Sequence, residues 1–352
     1  MKKYNLLVGI LAASRPTNQL FIGNVYLFKQ IQKELLKRSG FSYVFTPQDV
    51  HEKEVNGAYF DTNQNRWIKK SFPLPDVIYN RYPLREDEVK IQPLLNKINS
   101  LQIPYFNRSF FNKWTVNQLL SQNNALKSYI PAFTIIETEN DVFSFLETFH
   151  CAYLKPISSS QGKGIIKVTK HSHRTFHLYT KNQTYKNVLK EELWNKIQLL
   201  VLKNTPYFIQ EEIQSDDVNG LKYDLRILVH LDQTTYKPTG IGVRATEKNH
   251  ITTHVPNGGK ILPLSLVESR INPDEISFIC HEIGQTLTHQ YGLIGEFSLD
   301  VGVGENRKLY LFEVNSKPMK FDEKEIFQNS ILQLTNLFYQ LSHHEKEPIL
   351  NH

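Results

Sequence analysis

The chain has 352 residues, of which 40% are hydrophobic and 22% charged, and it carries a formal net charge of +6. That length exceeds one typical domain, and so apolar a composition without any low-complexity tract excludes a disordered or fibrous protein. Lysine and arginine are scattered instead of blocked, which argues against a nucleic-acid partner, and no apolar stretch reaches the length of a membrane span.

The opening MKKYNLLVGILAAS has two lysines ahead of a short apolar run, as a signal peptide does. The run over 6–13 is short for that role and reads better as the buried first strand of an α/β lobe. A helix follows over 22–39, then a short strand over 43–45, a turn-rich stretch over 56–70 and a strand over 77–79. A helix over 86–101 and a strand over 103–106 complete an alternating βα unit, which implies a mostly parallel sheet. It contains no GxGxxG, so no dinucleotide site is expected in it.

From Lys113 the texture changes. A helix over 113–120, a strand over 133–136, a helix ending at Phe149, and strands over 152–155 and 165–169 joined by a Ser- and Gly-rich loop describe a small lobe. A second lobe offers long β-rich stretches over 206–212, 221–231, 239–246, 293–303 and 309–315. Between the third and fourth lies a helix begun by Asn272 as N-cap, Pro273 at the first position and Glu275 closing a capping box. A final helix covers 323–342. The expected division is 1–112, 113–205 and 206–345, with a tail over 346–352. Cys151 and Cys280 sit far apart in apolar stretches, so neither a disulfide nor a thiolate metal site is expected, and a reducing cytoplasm is the expected compartment.

Four groups of residues could carry chemistry. In YLKPISSSQGKG, Lys155 ends a strand ahead of Ser158, Ser159, Ser160, Gly162 and Gly164; small residues let backbone N–H groups turn onto a phosphate, and the lysine supplies charge. In GEFSLDVGVGENRKLYLFEVNSKP, Glu296, Ser298 and Asp300 share one strand face, and Glu313 and Asn315 share a face opposite Phe312. A four-residue loop over 305–308 would pair Asp300 with Glu313, bringing two carboxylates and an amide together. Such a pair repels unless a divalent cation neutralises it, and all-oxygen ligands suit Mg²⁺ bridging phosphates. In KYDLRILV and GIGVRATE, Arg226 and Arg244 form a fork for phosphate or carboxylate on adjacent strands. In YFIQEEI, backbone groups of a hinge strand can read an adenine edge while Glu211 or Glu212 takes ribose hydroxyls. The histidines show no trusted metal-ligand spacing.

In this order, Lys113, Lys155 with its Ser/Gly loop, QEEI, DLR, Arg244, Asp300 and EVNSKP resemble the ATP-grasp superfamily over roughly 113–320. The N-terminal segments VGIL, YVFTPQDV, PLPDVIYNR and YFNRSFFNKW extend the likeness to the YheC/YheD-like endospore coat-associated proteins of that superfamily over nearly the whole chain. The resemblance implies an α/β ATP-grasp fold with an N-terminal parallel-sheet domain. It further implies Lys113 and Lys155 on the α and β phosphates, the 158–164 loop over the β and γ phosphates, Gln210, Glu211, Glu212 and Ile213 on adenine and ribose, and Asp300, Glu313 and Asn315 on Mg²⁺. The activity implied is an ATP-dependent ligase joining a small-molecule or peptide carboxylate to an amine through an acylphosphate, with Arg226 and Arg244 stabilising the transferred group. It is linked to sporulation and to spore-coat proteins as partners. A coat scaffold that binds ATP without turnover and an ATP-grasp kinase share every motif. Met319 stands where many ATP-grasp ligases have glycine, a departure that bears on substrate shape.

Overall fold

The computed structural model describes residues 4–15, 20–159, 162–199, 205–247, 253 and 258–343. Three six-stranded sheets follow one another along the described chain. The first holds β1 (Leu6–Leu11), β2 (Gly40–Phe45), β3 (Glu54–Asp61), β4 (Arg66–Pro73), β5 (Val77–Asn80) and β6 (Tyr105–Phe106), in the order β4-β3-β2-β1-β5-β6. The pairs β1–β2, β1–β5 and β5–β6 are parallel. As the central strand β1 buries Leu6, Val8, Ile10 and Leu11 completely, which is why it reads as one apolar run. Helix α1 (Val25–Leu36) starts where Asn24 Oδ1 accepts from Leu27 N at 3.0 Å and packs Phe28, Ile31 and Leu35 inward.

Two expectations change in this lobe. The stretch over 56–70 is the antiparallel hairpin β3–β4, added to the parallel strands at one edge. Asn, Gln and Gly hid its alternation, and Gly57 is there because a Cβ would lie 2.5 Å from the Tyr43 ring. The helix expected over 86–101 divides into a 3₁₀ turn (Glu88–Ile91) and α2 (Gln92–Ser100). Pro93 has no N–H to continue the preceding turn and suits the start of a new helix.

Helix α3 (Lys113–Gln122) leads to the second sheet, which holds β7 (Phe133–Ile135), β8 (Cys151–Pro156), β9 (Ile166–Lys170), β10 (Thr175–Tyr179), β11 (Thr184–Leu189) and β12 (Tyr207–Glu211). Its order is β11-β10-β9-β8-β12-β7 and its pairs are antiparallel. One face packs on α4 (Glu139–Phe149) and α5 (Lys190–Ile197) through Ala152, Leu154, Val168, Phe176, Leu178 and Ile209. Strand β12, grouped by sequence with the second lobe, hydrogen-bonds to β8 and β7 and so belongs to this sheet. Strands β10 and β11 and helix α5 had no sequence counterpart, because histidines and lysines dilute their apolar alternation.

The third sheet holds β13 (Asp217–Val218), β14 (Leu221–Asp232), β15 (Thr235–Glu247), β16 (Lys260–Leu262), β17 (Glu296–Val303) and β18 (Leu309–Asn315), in the order β16-β15-β14-β17-β18 with β13 on β14. Helices α6 (Pro273–Tyr291) and α7 (Lys324–His343) pack against it, and α7 also meets α1. Asn272 caps α6, its Oδ1 accepting from Asp274 N at 3.0 Å, whereas Glu275 does not close the expected capping box. The first sheet meets α7, which covers the third, through aromatic rings: Tyr79 stacks on Phe106 at 5.1 Å and Phe106 lies tilted against Phe338 at 6.0 Å between centroids. Buried Glu296 adds a polar tie, accepting from the Tyr79 hydroxyl and from Arg81 Nη1 at 3.2 Å. The tail over 346–352 lies outside the described residues.

Candidate functional site

A cleft of about 310 Å³ opens between the second and third sheets. Its walls follow from strand alternation. From the second sheet come Tyr153 and Lys155 of β8, Lys167 of β9 and Gln210 of β12; from the third come Asp224 of β14, Arg244 of β15, Asp300 of β17, and Phe312 and Glu313 of β18. Glu211, Glu212 and Ile213 line the same space where β12 leaves its sheet.

Asp300 lies opposite Glu313, as expected, but by a different route. Val303 pairs with Leu309, so the hairpin connection is one residue longer than the four assumed, and a bulge at Phe312 restores the register. The same bulge turns Phe312 and Glu313 both toward the cleft, correcting the expectation that Phe312 faces away. Gly302 lies beneath the ring, where a Cβ would come within 2.1 Å of it.

Charges alternate along this wall. Arg244 donates through Nε to Asp224 Oδ1 at 2.9 Å and lies 3.1 Å from Asp300 Oδ1 through Nη2, while the Thr253 hydroxyl donates to Asp224. Burial opposes the guanidinium's charge, but Asp300 and Asp224 outweigh it and hold Arg244 firmly protonated. Glu313 Oε1 lies 3.4 Å from Lys113 Nζ, which is buried and has no hydrogen-bond partner among the described residues. Lys155 donates to Gln210 Oε1; burial, reinforced by Lys113, lowers it to about 8 against the pull of Glu313 and Asp300.

The hinge carboxylates are already engaged. Glu211 Oε1 accepts from Ala132 N at 2.8 Å, and Glu212 Oε1 accepts from Lys167 Nζ at 2.6 Å and the Tyr153 hydroxyl at 3.2 Å. Burial would raise Glu212, but its hydrogen bonds from Cys151, Lys167 and Tyr153 hold it below the usual range. Among the described residues Gln210 Nε2 is buried without a hydrogen-bond partner, a donor left open on the wall of the cleft.

The remaining candidates stand around the cleft without lining it. Ile157 O, at the base of the Ser/Gly loop, accepts from Lys113 N at 3.0 Å, tying that loop to α3. Ser158 is exposed, 3.4 Å from Thr205 Oγ1, and Ser159 Oγ is buried with no hydrogen-bond partner among the described residues. Gly162 and Gly164 have φ of 68° and 77°, which L side chains adopt with strain, and the Gly164 carbonyl accepts from the Tyr207 hydroxyl at 3.1 Å. Ser160 lies outside the described residues. Asn315 pairs with Ser298 further along β18. Arg226 turns away from the fork expected of it: Nη2 donates to Met319 O at 2.9 Å and the guanidinium lies 4.4 Å over the Phe321 ring. Lys167, Lys222 and Tyr153 line the cleft although the sequence did not single them out. Stepping back two residues from Lys155 reaches Tyr153, and the β8–β9 register carries that to Lys167.

The donor set can be tested against the ligands such a cleft would take. Asp300 and Glu313 are hard oxygen donors side by side, each flanked by a cation. Among the described residues no group of three His, Cys, Asp or Glu side chains could hold a metal. Two carboxylates with the other positions left to phosphate and water is how Mg²⁺ is held beside a nucleotide, so the residues fit that ion. Lys155, Lys113 and the Gln210 amide fit a triphosphate nucleotide in the same way.

Two lobes gripping a nucleotide-sized cleft define an ATP-grasp fold. D-alanyl-alanine synthetase A from Vibrio cholerae O1 biovar eltor str. N16961 has a similar structure, with a TM-score of 0.57 at 12% identity over 97% of this chain and 99% of that one. The family described as YheC/D like ATP-grasp matches residues 102–343, and the chain belongs to it. Endospore coat-associated protein YheD of Bacillus subtilis (strain 168) is 28% identical over 296 residues, 79% of this chain and 64% of its own length, so the chain spans under two thirds of that relative. Endospore coat-associated protein YheC of the same organism is 23% identical over 307 residues, 81% of this chain and 84% of that one. Among the described residues no helix is long and apolar enough to cross a membrane.

Proposed function

We propose that the protein is an ATP- and Mg²⁺-dependent ligase that joins a carboxylate to an amine through an acylphosphate. The observation that carries this reading is the Asp300–Glu313 pair, set among Lys113, Lys155 and Arg244 on the wall of the cleft. Asp300 and Glu313 would hold Mg²⁺ there, and the ion would supply positive charge against the triphosphate. Lys155 and Lys113 hold the phosphates from the other side, and Gln210 to Ile213 hold the base and ribose. A substrate carboxylate oxygen attacks the γ-phosphorus and ADP leaves; the amine then attacks the acyl carbon, phosphate leaves, and the amine's proton passes to solvent. Arg244, fixed by Asp224, faces the charge that develops at the transferred group. Arg226, turned to Met319 and Phe321, acts in this reading on the segment after EVNSKP, where the acceptor would sit. The relatives' names support a setting in the sporulating cell with coat proteins as partners, and the ligase reading itself implies a small-molecule or peptide carboxylate as substrate.

The test is ADP release by the purified chain with Mg-ATP and a panel of carboxylates and amines. Release that requires both a carboxylate and an amine supports ligation. Release with a hydroxyl compound alone would refute it in favour of a kinase, and nucleotide binding without any stimulated release would leave a scaffold.

A further inference from the structure

The basic residues are scattered, but the acidic ones are not. From residue 148 to residue 190 the chain has eight Lys and Arg, four His and no Asp or Glu. This segment more than accounts for the net charge of +6 and leaves the rest of the chain with a slight excess of acid.

Its residues build β8, β9, β10 and β11 and the turns between them. One face of that sheet is sealed by α4 and α5. The other is the cleft wall at β8 and continues outward across β9 and β10. The register places Tyr153, Lys167 and Tyr179 in one row and Cys151, Thr169 and His177 in the next. Of the cations, Lys167 is paired with Glu212 at 2.6 Å, Lys170 is paired with Glu147, and Lys155 lies in the cleft. Lys163, Arg174, Lys181 and Lys186 are exposed and make no salt bridge among the described residues. His177 Nε2 is buried and has no hydrogen-bond partner among the described residues.

From this charge complementarity we propose that the outer face of the small lobe docks an acidic peptide segment, running from the Arg174 turn across His177 toward Lys167 and the mouth of the cleft. Alternate residues of a strand lie about 6.6 Å apart, a spacing that an extended peptide shares, so carboxylates on one side of it can meet successive rows of this face. The rings disfavour a nucleic acid. His177 lies against His171 at 4.5 Å and Tyr179 at 6.3 Å between centroids, so they lean on one another instead of offering open faces for base stacking. The docking needs no turnover. Only its use, to deliver a side-chain or terminal carboxylate to the phosphates, rests on the ligase reading above.

The experiment uses the full chain without nucleotide and follows the fluorescence anisotropy of labelled peptides of equal length, one of glutamate and one of glutamine. The glutamate peptide should bind at least about tenfold more tightly, and its affinity should fall with salt. Lys181→Glu combined with Lys186→Glu should weaken it about tenfold further than any change seen for ATP, with an unchanged melting temperature, given the size of exposed charge pairs. Arg174→Glu, on the turn at the far end, is a second variant should the double one fail to fold, and should also weaken binding. Equal affinity for both peptides, or charge-reversed variants that bind as wild type does, would overturn the proposal. So would a single-stranded oligonucleotide that outcompetes a glutamate peptide of equal charge. Stimulated ADP release is read separately, so a failed ligase and a failed docking surface give different results.

Discussion

Replacing Lys155 by methionine should weaken nucleotide binding while stabilising the free protein. The lysine sits beside Lys113 with its ammonium on Gln210, and burial brings it to about 8 from 10.5. It therefore stays mostly charged at neutral pH, in a place that disfavours the charge. A lysine lowered this far costs about 3 kcal/mol of stability below pH 8, where it is protonated both folded and unfolded. The sign follows from proton counting: between pH 8 and 10.5 the unfolded chain binds more protons, so the penalty fades as pH rises and is gone above 10.5. Methionine keeps the stem's packing and has no charge to bury. The free variant should melt a few degrees higher than wild type at pH 7, with the gap closing toward pH 10.5. A lost charge-assisted bond to phosphate is worth about 1.5–3 kcal/mol, so Mg-ATP should bind roughly 10- to 150-fold more weakly. Differential scanning calorimetry and titration calorimetry on the two proteins measure both effects. A variant that is less stable yet binds ATP unchanged would remove Lys155 from the phosphate site and refute the reading of its environment.

Asp300→Asn or Glu313→Gln should leave the fold intact and abolish Mg²⁺-dependent ADP release, checked by circular dichroism and a magnesium titration; normal release in either variant would displace the metal from this pair. Arg244→Ala should cost about 3–5 kcal/mol of stability as well as roughly 100-fold or more in turnover, because it leaves Asp224 and Asp300 without their shared buried cation; denaturant unfolding separates the two losses. Gly302→Ala should destabilise by about 1–3 kcal/mol, since its Cβ meets the Phe312 ring at 2.1 Å, and any nucleotide bound beside Phe312 should bind more weakly. Arg81→Met should cost about 3 kcal/mol in thermal unfolding, because buried Glu296 then loses the cation that ties the first sheet to the third.

What the sequence determined by itself was local. The apolar run of β1, the Asn272 cap and Pro273 that begin α6, and the alternation of β17 and β18 are set by nearest neighbours along the chain, and the order of short motifs carried the family. The opposition of Asp300 and Glu313 was legible too, although only because a longer hairpin connection and a bulge at Phe312 offset each other. Tertiary structure decided the rest. Strand β12 pairs with β8 and β7 instead of the sheet that follows it, since a strand's partner is chosen by long-range hydrogen bonding that no local pattern encodes. Arg226 and Arg244 both project from the cleft-side faces of adjacent strands, yet one is drawn to Asp224 and Asp300 and the other to Met319 O and Phe321. A side chain that long reaches whichever partner the packed neighbours leave within range. Alternation can name the face of a residue, but only the assembled sheets fix which charge it meets.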